Sequence, residues 1–122
     1  MKFVVLLLCA LGLLLAQQSG PDREGNFEMR FEPAVKLQSA VEVPFQITVN
    51  DALHKPLVDA KVTMQIEMTD HSHTKLFPAP ATGTGVYVSK PVFPVAGDWN
   101  ITVEARRDNK VSARTIQFSV AE

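Results

Sequence analysis

Lys61-Val62-Thr63-Met64-Gln65-Ile66-Glu67-Met68 is the stretch whose pattern decides the fold. Apolar residues fill the even positions and polar or charged residues the odd ones. Side chains alternate across a strand with period two, whereas a helix needs apolar residues three and four apart. The octet therefore predicts a half-buried β-strand with Val62, Met64, Ile66 and Met68 on its covered face.

The same alternation recurs on both sides of it. Downstream, Trp99, Ile101, Val103 and Ala105 alternate with Asn100, Thr102 and Glu104. Upstream, Val43, Phe45, Ile47 and Val49 alternate with Pro44, Gln46 and Thr48, and Phe27, Met29 and Phe31 alternate with Glu28 and Arg30. Pro44 fits a strand entry or an edge, because it has no N–H for a ladder. Gly85 to Ser89 reads as a further strand that turns either Val86 and Val88 or Tyr87 inward. A short strand near Leu76-Phe77 interrupts the polar connection 69–84. The last strand runs from Val111 to Val120. Its apolar parity changes from odd (Val111, Ala113) to even (Ile116, Phe118, Val120), and a β-bulge near Arg114-Thr115 would reconcile the two halves. Asp108 and Asn109 mark a hairpin turn. About seven short strands separated by turn residues, with no helical period, predict an all-β sandwich of antiparallel strands.

Phe3 to Leu15 is an unbroken apolar run behind Lys2, followed by Ala16 and the polar Gln17-Gln18-Ser19-Gly20. This is the layout of a secretory signal peptide. As a helix it would span about 21 Å, short of a ~30 Å hydrocarbon core. Residues 1–16 are thus expected to be a signal peptide, with 20 as its outer limit. Residues 17–26 form a flexible polar entry segment and 27–122 the folded domain. The expected location is extracytoplasmic, in the periplasm or at the cell surface, with membrane contact only through an uncleaved leader.

Composition excludes several functions. The 122 residues carry a formal charge of −1, and beyond Arg106-Arg107 there is no block of Lys or Arg. That is no footprint for nucleic acid or an anionic membrane surface. The single cysteine, Cys9, sits in the leader, so the domain is left without a thiol nucleophile or thiolate ligand. No phosphate-binding glycine loop, nucleophile elbow or H-E-x-x-H motif is present. The chain is not expected to be an enzyme.

Its one chemical signal is Met68-Thr69-Asp70-His71-Ser72-His73. If residues 71–73 are extended, the H-x-H spacing puts both imidazoles on one side of the chain, beside a thioether at the strand end. Thioether and imidazole are soft to borderline ligands that suit copper, Cu(I) above all. Zinc would recruit a carboxylate such as Asp70. The residues alone also allow Met68 to be core, as Met64 is, and the two histidines to be solvated. His54 lies in a separate turn.

Three further segments, in order, carry a resemblance: Pro56-Leu57-Val58-Asp59-Ala60 before the 61–68 strand, Gly85-Val86-Tyr87 after the Met/His loop, and Gly97-Asp98-Trp99 opening the next strand. Over residues 40–106 the chain resembles the YtkA-like/FixH-like group of exported bacterial β-domains. The resemblance implies an immunoglobulin-like β-sandwich and a role in copper handling or respiratory oxidase maturation. It implies Met68, His71 and His73 as metal ligands, copper as the bound ion, and a copper-handling or oxidase-maturation protein of the envelope as partner. Family loops continue with Pro-Gly and a further Met or His, where this chain has Thr69-Asp70. The competing expectation is a metal-free immunoglobulin-like interaction module of a cell-envelope assembly.

Overall fold

The computed structural model describes residues 21–122. The leader therefore lies outside the described residues. Among the described residues nine strands form an immunoglobulin-like sandwich: β1 (Arg23–Glu24), β2 (Glu28–Pro33), β3 (Phe45–Asn50), β4 (Lys61–Met68), β5 (Thr74–Pro78), β6 (Ala81–Gly83), β7 (Val86–Ser89), β8 (Gly97–Arg107) and β9 (Lys110–Val120). One sheet has the order β1-β9-β8-β4-β5 and the other β2-β3-β7-β6. No helix among the described residues is long and apolar enough to cross a membrane.

Alternation builds this core as the sequence predicts. Val62, Met64, Ile66 and Met68 of β4 pair with Ala105, Val103, Ile101 and Trp99 of β8 within one sheet. Across the gap lie Met29, Phe31, Phe45, Ile47 and Val49 of the other sheet, all buried. Burying each large side chain contributes about 1.5–3 kcal/mol. The β3–β4 and β8–β9 turns use left-handed backbone at His54, Asp59 and Asp108.

Tyr87, not Val86 or Val88, is the inward residue of β7. Its hydroxyl donates to Leu57 O at 2.7 Å and receives Ala60 N–H at 3.4 Å. The phenol thus fastens the 57–60 connection to the sandwich. Gly85 precedes it with φ +70°, and a Cβ there would lie 2.7 Å from Pro56 Cβ, so the G-x-Y pattern is a packing requirement. Tyr87→Phe is expected to cost about 1–3 kcal/mol, because it strands a buried carbonyl. Urea denaturation checks this; a midpoint equal to wild type would contradict it.

The expected bulge in β9 is absent. Pairing with β8 runs unbroken from Gly97↔Val120 to Arg107↔Lys110. The inward column is even throughout: Ser112, Arg114, Ile116, Phe118 and Val120. The polar members are satisfied. Ser112 Oγ donates to Glu24 and accepts Phe27 N–H, while Arg114 Nη1 donates to Met29 O at 2.6 Å. Val111 and Ala113 face outward, so two inward polar residues imitated a change of parity.

Two short strands are additions to the expected seven. β6 is a three-residue partner of β7 with a register shift at Ala81–Gly83. β1, within the polar entry segment, pairs parallel with the start of β9, a departure from the all-antiparallel expectation. Asp22 receives two hydrogen bonds from Arg106, at 2.6 and 3.1 Å. The Arg106 hydrogen bonds hold the Asp22 carboxyl below its ordinary value of 3.8, and the Ser112 hydroxyl holds Glu24 below 4.5. A lowered folded-state pKa stabilises above the ordinary value and is lost as pH falls through the folded one. The amides of Arg23 in β1 and of Gly25 just after it, bonded to Asn109 O and Val111 O, are therefore expected to lose hydrogen-exchange protection in acid before those of β8. Equal protection of both strands at pH ~3 would contradict this.

Candidate metal site

The candidate site is the tip of the β4–β5 hairpin, and ladder phase decides which residues meet there. Met68 N–H donates to His73 O at 2.9 Å, so Met68 and His73 are a directly opposed, hydrogen-bonded pair. Met68 also pairs with Trp99 of β8, and Trp99 with Phe118 of β9. His73, Met68, Trp99 and Phe118 therefore form one row across the inward face at the rim of the sandwich.

The row is close-knit. His73 and Trp99 stand two strands apart, about 9.6 Å by backbone spacing, yet their ring centroids are 6.1 Å apart. The two rings thus lean towards each other over the intervening thioether. Trp99 is fully buried, packed edge-on against Phe93 at 5.3 Å, and its indole N–H donates to Val95 O at 3.1 Å. Met68 is half-buried and His73 exposed. Gly97, at φ +139°, makes room for the Met68 side chain: a Cβ there would stand 2.7 Å from Met68 Cε. The G-x-W pattern thus shapes the pocket of the thioether as well as opening β8.

The Met68 sulfur is not sealed in the core. Ser72 Oγ lies 3.4 Å from Sδ, so the sulfur reaches the polar loop. Asp70 is occupied in that loop. Its Oδ1 accepts Ser72 N–H at 2.9 Å and lies 2.6 Å from Ser72 Oγ, and these bonds to Ser72 keep its carboxyl low. Among the described residues no three His, Cys, Asp or Glu side chains gather for a metal ion.

His71 does not join the row. The H-x-H expectation required extended backbone, but His71 has φ +64° and its N–H closes a turn onto Met68 O at 2.9 Å. Its Nδ1 lies 3.2 Å from Glu67 Oε2. Glu67 pairs with Thr74 on the opposite face of the sheet, and Thr74 Oγ1 donates to it at 3.3 Å. So the fold brings Met68 and His73 together and directs His71 to the outer face. His54 sits at the far end of the sandwich, against Glu28. Sequence reading missed Trp99, Gly97 and Glu67 as parts of this region. Only the G-x-W pattern hinted at the first two.

A soft ion fits the pair that does converge. A hydrogen-bonded cross-strand pair has Cβ atoms about 5.5 Å apart, within reach of one ion for a thioether and an imidazole. The donors are one sulfur and one neutral nitrogen, with an aromatic face beside them, a set that suits Cu(I) and not a hard cation.

The fold is shared with solved structures of low identity. Escherichia coli FetP is 7% identical and superposes with a TM-score of 0.55 over 84% of this chain and 93% of its own. The copper-reconstituted P19 protein of Campylobacter jejuni gives 7% and 0.56 over 83% and 92%. A DUF4426 family protein of Pseudomonas aeruginosa gives 14% and 0.52 over 84% and 96%. At such identities the likeness concerns architecture alone. No curated protein matches the chain in sequence. A family model described as YtkA-like, however, matches residues 22–104, from the β1 region through most of β8 and including the hairpin tip, and the chain belongs to that family.

Proposed function

We propose that this chain is an exported copper-handling domain, a carrier rather than an enzyme, that takes up Cu(I) between Met68 Sδ and the His73 imidazole. The observation that carries the reading is the opposed Met68–His73 pair with the Trp99 ring beside it. The apolar run at residues 3–15 supports delivery outside the cytoplasm. Membership of the YtkA-like family supports it too, as does a fold shared with copper-reconstituted P19 and with a copper-bound variant of that protein. His71, 73% exposed at its side chain and held to Glu67 on the outer face, would become a third ligand only by leaving Glu67 for the ion. A two- or three-donor site at an open rim releases its ion readily. That suits transfer to a copper-handling or oxidase-maturation protein of the envelope.

Competition against a Cu(I) chelator tests the reading, followed by quenching of Trp99, the only tryptophan. His73→Ala is expected to weaken binding about 100-fold and His71→Ala about 10-fold, or about 2.8 and 1.4 kcal/mol. Equal, poor competition by wild type and His73→Ala would leave a metal-free interaction module as the reading. That alternative has one observation in its favour, the open edge of β5.

A further inference from the structure

The sandwich has edges of very different character. β2 carries Glu28, Arg30 and Glu32 and ends in Pro33, and Arg114 covers its Met29 carbonyl. Three charges and a carbonyl already taken make this edge a poor template for pairing. β6 is three residues long and irregular. β5, Thr-Lys-Leu-Phe-Pro, is regular, carries one charge, and presents Leu76 at 63% exposure.

The phase of the β4–β5 ladder fixes which groups β5 offers. Met68 N–H bonds His73 O and Ala79 N–H bonds Val62 O. Residues 73, 75, 77 and 79 thus face β4, and the N–H and C=O groups of Thr74 and Leu76 point away from the sheet. Among the described residues these groups meet no other backbone. Pro78 offers only a carbonyl, which also accepts Ser89 Oγ at 3.0 Å and keeps a second lone pair.

We propose that β5 pairs antiparallel with β5 of a second copy, about a two-fold axis through Leu76. In this register Leu76 exchanges both of its bonds with Leu76 of the partner subunit, and each Thr74 N–H meets the other copy's Pro78 carbonyl. The missing proline N–H falls where Thr74 offers only its carbonyl, so a single donor is lost on each side. Lys75 then stands opposite Phe77 of the partner subunit in the closer, non-hydrogen-bonded position. Its ammonium already lies 5.3 Å over its own Phe77 ring, so each Lys75 is flanked by two aromatic faces. A two-fold at Lys75 would instead oppose two ammonium groups. A groove of about 380 Å³, lined by Phe77, Pro78, Pro80 and Val88 with Thr82 and Lys90, adjoins the same edge. The product is a continuous ten-stranded sheet across two copies.

The pairing needs no metal, so it is tested on the purified protein with a copper chelator present, which separates its failure from that of the copper reading. Sedimentation velocity is expected to show mass doubling as concentration rises, with the Leu76 and Thr74 amides gaining hydrogen-exchange protection in parallel. L76K, which opposes two ammonium groups on the axis, is expected to stay monomeric. L53K, at an equally open leucine in the β3–β4 turn, is expected to dimerise like wild type. A monomer at every concentration overturns the proposal. So does a dimer that persists in L76K, or a Leu76 amide protected only when envelope extract is added.

Discussion

Met68→Leu is expected to abolish measurable Cu(I) binding while leaving the sandwich standing. Leucine has nearly the volume of methionine, and such swaps usually cost under about 1.5 kcal/mol. Met68 is only half-buried, which keeps the cost in that range. What the substitution removes is the one sulfur in the row formed by His73, Met68, Trp99 and Phe118. Imidazole donors without the thioether make a poor Cu(I) site, because the soft donor supplies the selectivity. The affinity should fall at least 100-fold, about 2.8 kcal/mol. Chelator competition and a urea melt on the same preparation separate the two effects. Wild-type affinity in the variant would remove Met68 from the site, and a collapsed melt would make it a core residue first.

Trp99→Ala is expected to be the most damaging single change to the fold, at about 3–5 kcal/mol. Typical domain stabilities are about 5–15 kcal/mol, so this is a large fraction of the whole. The reason is the number of neighbours that depend on the ring. It is fully buried, packs edge-on to Phe93, and ties the 94–98 corner through its bond to Val95 O. It also supports Met68 from the side, so the variant should lose the thioether's position along with the core volume. Far-UV circular dichroism through a urea titration reads the loss without needing tryptophan fluorescence. A cost below about 1 kcal/mol would show that the rim collapses onto the gap and that the ring is no keystone of the core.

The strands that were legible are those whose inward residues are all apolar. β4 and β8 alternate cleanly because both lie in the middle of a sheet with one face covered. β9 was misread at one end because its inward Ser112 and Arg114 reach partners on β1 and β2 that no local pattern reveals. β1 and β6 escaped notice for a related reason: Arg-Glu and Ala-Thr-Gly are too short to show a period, and only their tertiary partner makes them strands. At the candidate site the residue types were legible and their grouping was half right. Local spacing suggested that His71 and His73 act together. Strand register put His73 with Met68 and Trp99, while a left-handed turn at His71 gave that ring to Glu67. Register is a property of paired strands, so a one-strand reading of H-x-H had no access to it.

The fastening of β1 beside the β8–β9 turn fixes how the molecule can be held. The chain enters the described fold at Pro21, next to Asp22 and its bond to Arg106. Trp99 marks the other pole, eight residues back along β8 from Arg107, or about 27 Å away. When the chain is gripped at Pro21, be it by a resin bead or a sensor chip, the thioether and imidazole look out from the opposite pole. Coupling at Pro21 should therefore leave ion capture at its solution strength, whereas coupling through Lys75 should obstruct it.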